Sequence, residues 1–183
     1  MPNWCNNTLE INHTDKQMLE RARKAIEDGR LFEEFIPVPE DLKIASSPST
    51  KDEELQAKYE ANKAKHGYAT WYEFCVNEWG TKWDVGGDDG YIDADETSAQ
   101  GSFQSAWSPP MGLMVVLEQE GFTVEFMYYE PGMNFAGVYR DGNDDYYELP
   151  DTADETEETL PTDLDEAFGI SENMRQWEEE NQE

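Results

Sequence analysis

Residues 108–129 read SPPMGLMVVLEQEGFTVEFMYY, and this stretch decides the fold. Ser108 stands where a helix N-cap is wanted and Pro109 at the first helical position. Leu113, Val116 and Leu117 share one face, and Gly121 supplies the stop. Directly after it, Phe122, Val124, Phe126 and Tyr128 alternate with Thr123, Glu125, Met127 and Tyr129, the period of a strand with one buried face.

Downstream, Phe135–Arg140 and Tyr146–Leu149 repeat the strand signal across Pro-Gly and Asp-Gly turns, which makes an antiparallel meander. Upstream, Asn3–Asn12 reads as a strand with Cys5, Leu9 and Ile11 on one face, a pattern that Asn7 interrupts. Thr14 with Gln17 opens a helix carrying Met18, Ala22 and Ile26, closed by Gly29. Pro37, Pro39 and Pro48 make residues 32–49 a loop, and Thr50 with Glu53 and Thr70 with Glu73 open two more helices. Between Trp79 and Trp107 the pattern returns to strands around the Gly- and Asp-rich turn at 86–90.

This order fits an α+β fold of the ferredoxin-like, split βαβ kind: an antiparallel sheet with helices on one face. The expected domain runs from 1 to 150, with a helical insertion at about 31–78. Residues 151–183 carry 13 acidic residues and one arginine and read as a flexible tail. Their scattered apolar residues would make short helices at 162–168 and 171–180 if they docked on the domain or on a partner.

The net charge is −29, and it is uneven: residues 1–75 carry −4 and residues 76–183 carry −25. With only Lys82, Arg140 and Arg175 in the second part, direct binding to nucleic acid or to an anionic membrane is disfavoured, and a basic protein becomes the expected partner. No apolar stretch approaches a membrane span and the first residues lack a signal-peptide pattern. Cys5 and Cys75 therefore read as buried, reduced thiols of a cytoplasmic protein.

Three tryptophan-bearing motifs stand out: Pro2-Asn3-Trp4-Cys5-Asn6-Asn7, Trp79-Gly80-Thr81-Lys82-Trp83-Asp84 and Ala106-Trp107-Ser108-Pro109-Pro110. In this order, and with Glu130–Gly137, the chain resembles the YubB-type ferredoxin-like domain family of plasmid and phage proteins over roughly residues 1–140. The resemblance implies a ferredoxin-like core and a home on mobile elements, without an activity to transfer.

Asn3, Trp4, Asn6, Asn7, Trp79, Thr81, Lys82, Trp83, Asp84, Trp107 and Ser108 are the candidate lining of a ligand pocket or enzymatic site. The plainer expectation makes the tryptophans core, Ser108 a helix cap, Asn6 and Asn7 partners of strand backbone, and Lys82 with Asp84 a salt bridge. No zinc, phosphate-loop or triad spacing occurs, and the Asp-rich run fails the calcium-loop template, since Val85 and Gly87 fall where oxygens are needed. No metal or cofactor is expected.

The candidate acidic interaction surface comprises Asp88, Asp89, Asp93, Asp95, Glu96, Asp141, Asp144, Asp145, Glu148, Asp154, Glu155, Glu157 and Glu158. Such carboxylates can imitate the phosphate ladder of DNA, so the leading expectation is a counter-defence or DNA-mimic protein that blocks a nucleic-acid-handling host protein. The alternative is a small-ligand or enzymatic domain built on the tryptophan motifs.

Overall fold

Strand β1 (Trp4–Asn12) is central, pairing antiparallel with β3 (Ser98–Ala106) on one side and β4 (Thr123–Glu130) on the other. β2 (Tyr91–Ala94) lies outside β3, while β5 (Phe135–Arg140) and β6 (Asn143–Glu148) extend the sheet beyond β4. The order is β2-β3-β1-β4-β5-β6, every neighbour antiparallel. The fold is α+β. The structure, a computed structural model, describes residues 3–46, 51–85, 91–94 and 98–181.

α1 (Lys16–Glu27) follows β1 and buries Leu19, Ala22, Ala25 and Ile26. Its cap is Asp15 rather than Thr14: the Asp15 carboxylate accepts from the Gln17 N–H at 2.8 Å. Residues 32–49, expected to be a loop, hold most of α2 (Leu31–Phe35) and a 3₁₀ turn at Glu40–Leu42. α3 (Glu53–His66) is capped by Asp52, and α4 (Trp71–Phe74) runs into a π turn, Cys75–Trp79. Residues 80–85 bend irregularly instead of starting the expected hairpin, which is made by β2 and β3.

α5 (Met111–Gln119) buries Leu113 and Leu117, as its pattern promised, with Met114 in place of Val116, which is half-buried. Ser108 does not cap it. Trp107 adopts φ 71°, so Ser108 turns away and its hydroxyl donates to the Gly80 carbonyl at 2.5 Å. Gly112 lets α5 press onto the π turn, since a Cβ there would lie 1.7 Å from the Glu78 carbonyl oxygen.

α1, α2 and α5 cover one face of the sheet, around Leu9, Ile11, Phe32, Phe103, Val124, Phe126 and Tyr128. The other face is also covered. α6 (Ala153–Thr159), α7 (Thr162–Phe168) and α8 (Ile170–Glu180) form a second core in which Leu149, Leu160, Leu164 and Ile170 meet Ala136 and Val138 of β5. Adjacent residues on β4 show the division, with Tyr128 in the first core and Tyr129 packed against the second.

Two expectations are corrected here: helices do not lie on one face only, and residues 153–180 form packed helices, the docked alternative for this stretch, rather than a flexible tail. Its apolar residues converge on one side, and each fully buried aliphatic contributes about 1.5–3 kcal/mol against the cost of ordering its own short helix.

Candidate functional site

The three tryptophan motifs meet at one end of β1. The Gly80 backbone, at φ 83°, ends the π turn. The Thr81 hydroxyl then donates to the Ala106 carbonyl at 3.1 Å and accepts from the Ala106 N–H at 2.9 Å, bolting this segment to the end of β3. The Trp107 N–H donates to the Asn3 carbonyl at 2.9 Å. The buried Asn7 amide donates to the carbonyls of Cys5 and Phe103 and to the Ser105 hydroxyl, so the break in the β1 pattern is a satisfied polar bracket within the core. On the opposite face of β1, the Asn6 side-chain oxygen accepts from Gln104.

The four motif tryptophans divide. Trp79 is core: it is 5% exposed, donates Nε1–H to the Ile36 carbonyl at 2.9 Å, and meets Phe32 edge-on. Trp4, Trp83 and Trp107 are 42%, 41% and 39% exposed, which corrects the expectation that the tryptophans are core. Their rings form a row, with centroids 6.2 Å apart from Trp4 to Trp83 and 6.3 Å from Trp83 to Trp107.

Lys82 and Asp84 part company as well. Lys82 Nζ lies 4.3 Å from the Trp83 ring centroid, 5.7 Å from that of Tyr72 and 5.8 Å from that of Trp107. Asp84 instead accepts the backbone N–H groups of Phe32, Glu33 and Val85, each at 2.8 Å. It thereby caps α2 from more than fifty residues away along the chain. Burial pushes its carboxyl above the usual range, against the pull of those N–H donors. The expected salt bridge does not form.

Beside Lys82 opens a cleft of roughly 970 Å³ between α3 and the turn into α4, lined on the far side by Trp71, Tyr72 and Trp107. Of the candidate pocket residues only Lys82 and Trp107 line this cleft; the rest of its lining was missed because α3 supplies one wall and carries no amphipathic signal, its only buried residue being Asn62. Asn62 holds the helix by donating to the carbonyls of Asp41 and Ala69. Glu130, fully buried, was also missed; it accepts the N–H groups of Gly132 and Met133 and shapes the turn between β4 and β5.

Both cysteines are buried and free, and burial pushes each thiol up to about 12, with the charge of Glu130 adding at Cys5 and those of Glu33 and Asp84 at Cys75.

Of the expected acidic surface, Asp141, Asp144, Asp145 and Glu148 are exposed at the β5–β6 turn and on β6, and Asp154, Glu155, Glu157 and Glu158 are exposed on α6. Asp144 accepts from the Tyr128 hydroxyl at 2.8 Å, and Arg175 pairs with Asp154 and Glu157. Asp93 lies on β2, and Asp88, Asp89, Asp95 and Glu96 fall outside the described residues. Among the described residues no group of three metal-ligating side chains gathers, and no helix is long and apolar enough to cross a membrane.

No family model matches the chain, and no curated protein matches it. Among solved structures, the crystal structure of protein api92 from Yersinia pseudotuberculosis, of the DUF1281 family model, is similar over 82% of this chain and 99% of its own, at 15% identity and a TM-score of 0.45. A likeness that distant carries no argument about function.

Proposed function

We propose that this is an accessory interaction protein of a phage or plasmid, working in the host cytoplasm. It presents a carboxylate face to a basic, nucleic-acid-handling host protein and blocks it as a mimic of DNA, a counter-defence role. The observation that carries this reading is the placement of charge. Residues 141–181 hold 16 acidic residues against one arginine, and they belong to β6 and to helices packed on a common core. A flexible tail would have to lose entropy on binding; carboxylates carried on folded elements are already organised. The strand order β2-β3-β1-β4 with α1 and α5 on one face supports a ferredoxin-like reading of the first part of the chain.

The enzymatic alternative loses its working pair, because Asp84 is taken up by three backbone donors and does not reach Lys82.

The test is capture of partners from a bacterial host lysate by the full chain, at low and high salt. A variant carrying Asp145→Asn, Glu148→Gln, Asp151→Asn, Glu158→Gln and Glu166→Gln runs beside it. The expected result is a nucleic-acid-binding protein that is retained at low salt, released at high salt, displaced by DNA and lost from the variant. A complex that ignores both salt and the five substitutions would overturn the reading.

A further inference from the structure

The cleft beside Lys82 lies on a different part of the molecule and has a different chemistry from the acidic end. Lys63 on α3 and Lys82 opposite line it, and neither makes an ion pair among the described residues. In a chain of 42 acidic and 13 basic residues, Arg21, Arg23, Arg30, Lys43, Lys58, Lys65, Arg140 and Arg175 have carboxylate partners. Four aromatic side chains, Tyr59, Trp71, Tyr72 and Trp107, share the cleft with them.

A second, independent observation comes from Thr70. It is 4% exposed, it lines the same cleft, and its hydroxyl oxygen is the one buried side-chain polar atom without a hydrogen-bond partner among the described residues. Buried polar groups are rarely left so; the oxygen is closed to solvent as it stands, and a turn of the Thr70 side chain at the cleft wall would bring it to a ligand.

From these we infer that the cleft binds a planar aromatic ring carrying a single anionic group, of the size and chemistry of a nucleoside monophosphate. The ring stacks on the tryptophan and tyrosine walls, the phosphate meets Lys82 and Lys63, and the Thr70 hydroxyl finds a partner. Lys82 is more buried than Lys63, and aromatic rings rather than a carboxylate hold it, so its charge remains available to an incoming anion. Glu53, Glu60 and Glu73 also line the cleft. Glu73 is engaged by the Ala69 N–H, while Glu53 and Glu60 are exposed on α3, where they oppose a second or third phosphate. The cleft's volume of roughly 970 Å³ is ample for one nucleotide and lies at the upper end for small-ligand sites.

Titration calorimetry of the full chain with adenosine 5′-monophosphate, adenosine and inorganic phosphate separates the parts. The expected result is saturable binding of the monophosphate, at least tenfold tighter than of adenosine or phosphate alone and weaker for adenosine triphosphate. Lys82→Gln should lower monophosphate affinity at least tenfold with little change for adenosine. Thr70→Val keeps the side-chain shape and removes the orphaned hydroxyl, so it should weaken the monophosphate while leaving the thermal midpoint equal or higher, a pairing that a purely structural role for Thr70 would not produce. The inference is overturned if the 5′-monophosphates of adenosine, guanosine, cytidine and uridine all fail to bind at low-millimolar concentration, or if folded Lys82→Gln and Thr70→Val bind as the wild type does. Charge substitutions at the acidic end should leave this binding unchanged, so the two readings fail separately.

Discussion

The two ends of this molecule reach the solvent by opposite means. Residues 141–181 carry 16 acidic residues and one arginine on a scaffold of β6 and three short helices, whereas residues 51–85 carry seven acidic and five basic residues and expose aromatic rings. The acidic end stands on its own small apolar core of Leu149, Leu160, Leu164 and Ile170 against β5. The aromatic end is held by polar brackets: Thr81 on Ala106, Asp84 on α2, Asn62 on Asp41 and Ala69. The lesson is that net charge alone says little about where a chain can receive an anion. A molecule of net charge −29 still contains a cleft whose two lysines form no ion pair among the described residues, although three carboxylates share its lining.

The comparison is sharpest among tryptophans. Trp79→Ala should cost about 3–5 kcal/mol, because it empties a core position and orphans the Ile36 carbonyl. Trp83→Ala should cost less than about 1 kcal/mol, because that ring is already 41% exposed. Chemical denaturation of the two variants checks both; equal losses would erase the division between core and displayed rings.

Next in size is the second core. Leu164→Ala should cost about 2–5 kcal/mol and, if the acidic end folds together with the sheet, lower a single thermal transition rather than split it. Two separate transitions would show that the acidic end folds on its own.

Asp84→Ala should cost about 2 kcal/mol by stripping the cap from α2, and Asp84→Asn less, since one amide oxygen still accepts. Capping predicts loss of stability without loss of binding at the cleft. The reverse result would return Asp84 to the site.

The smallest effect expected is a pH dependence. A side-chain hydrogen bond from Arg21 holds the Glu34 carboxyl below its ordinary value, with Arg30 adding to it. A depressed carboxyl contributes stability that is present above its unfolded value of about 4.5 and is lost as pH falls through the lower folded value. Arg21→Met should therefore flatten the acid limb of the stability profile, read by denaturant midpoints at stepped pH.

Much of the sheet was legible because its signals are local. The alternation of Phe122 to Tyr128, the helix before it and the Asp141-Gly142 turn, with both residues at positive φ, follow from neighbouring residues. The site was less legible because its decisive partners lie far apart along the chain. Asp84 looks like the mate of Lys82 two residues away until Phe32 and Glu33 arrive from another element. Nothing in the order of residues separates Trp79 from Trp83, since both sit in the same motif and only packing divides them. Ser108 failed as a cap because α5 starts two residues later than its pattern implied, at Met111 with Pro110 in the cap position. The end of the chain was legible only in part: two of its three helices were anticipated, but α6 and the second sheet face that receives them were not, because Tyr129, Ala136 and Val138 reveal which side they serve only once β4 and β5 pair.

The sheet stops at β6, and a terminal strand offers a free row of backbone donors and acceptors to any other strand it meets. Here that row is bordered by the exposed carboxylates of Asp144, Asp145 and Glu148. Two copies approaching edge to edge would bring six like charges together before a single ladder bond could form. The same side chains proposed to attract a basic partner thus act as a fence against self-association, and a variant stripped of them should be watched for polymerisation as well as for loss of its partner.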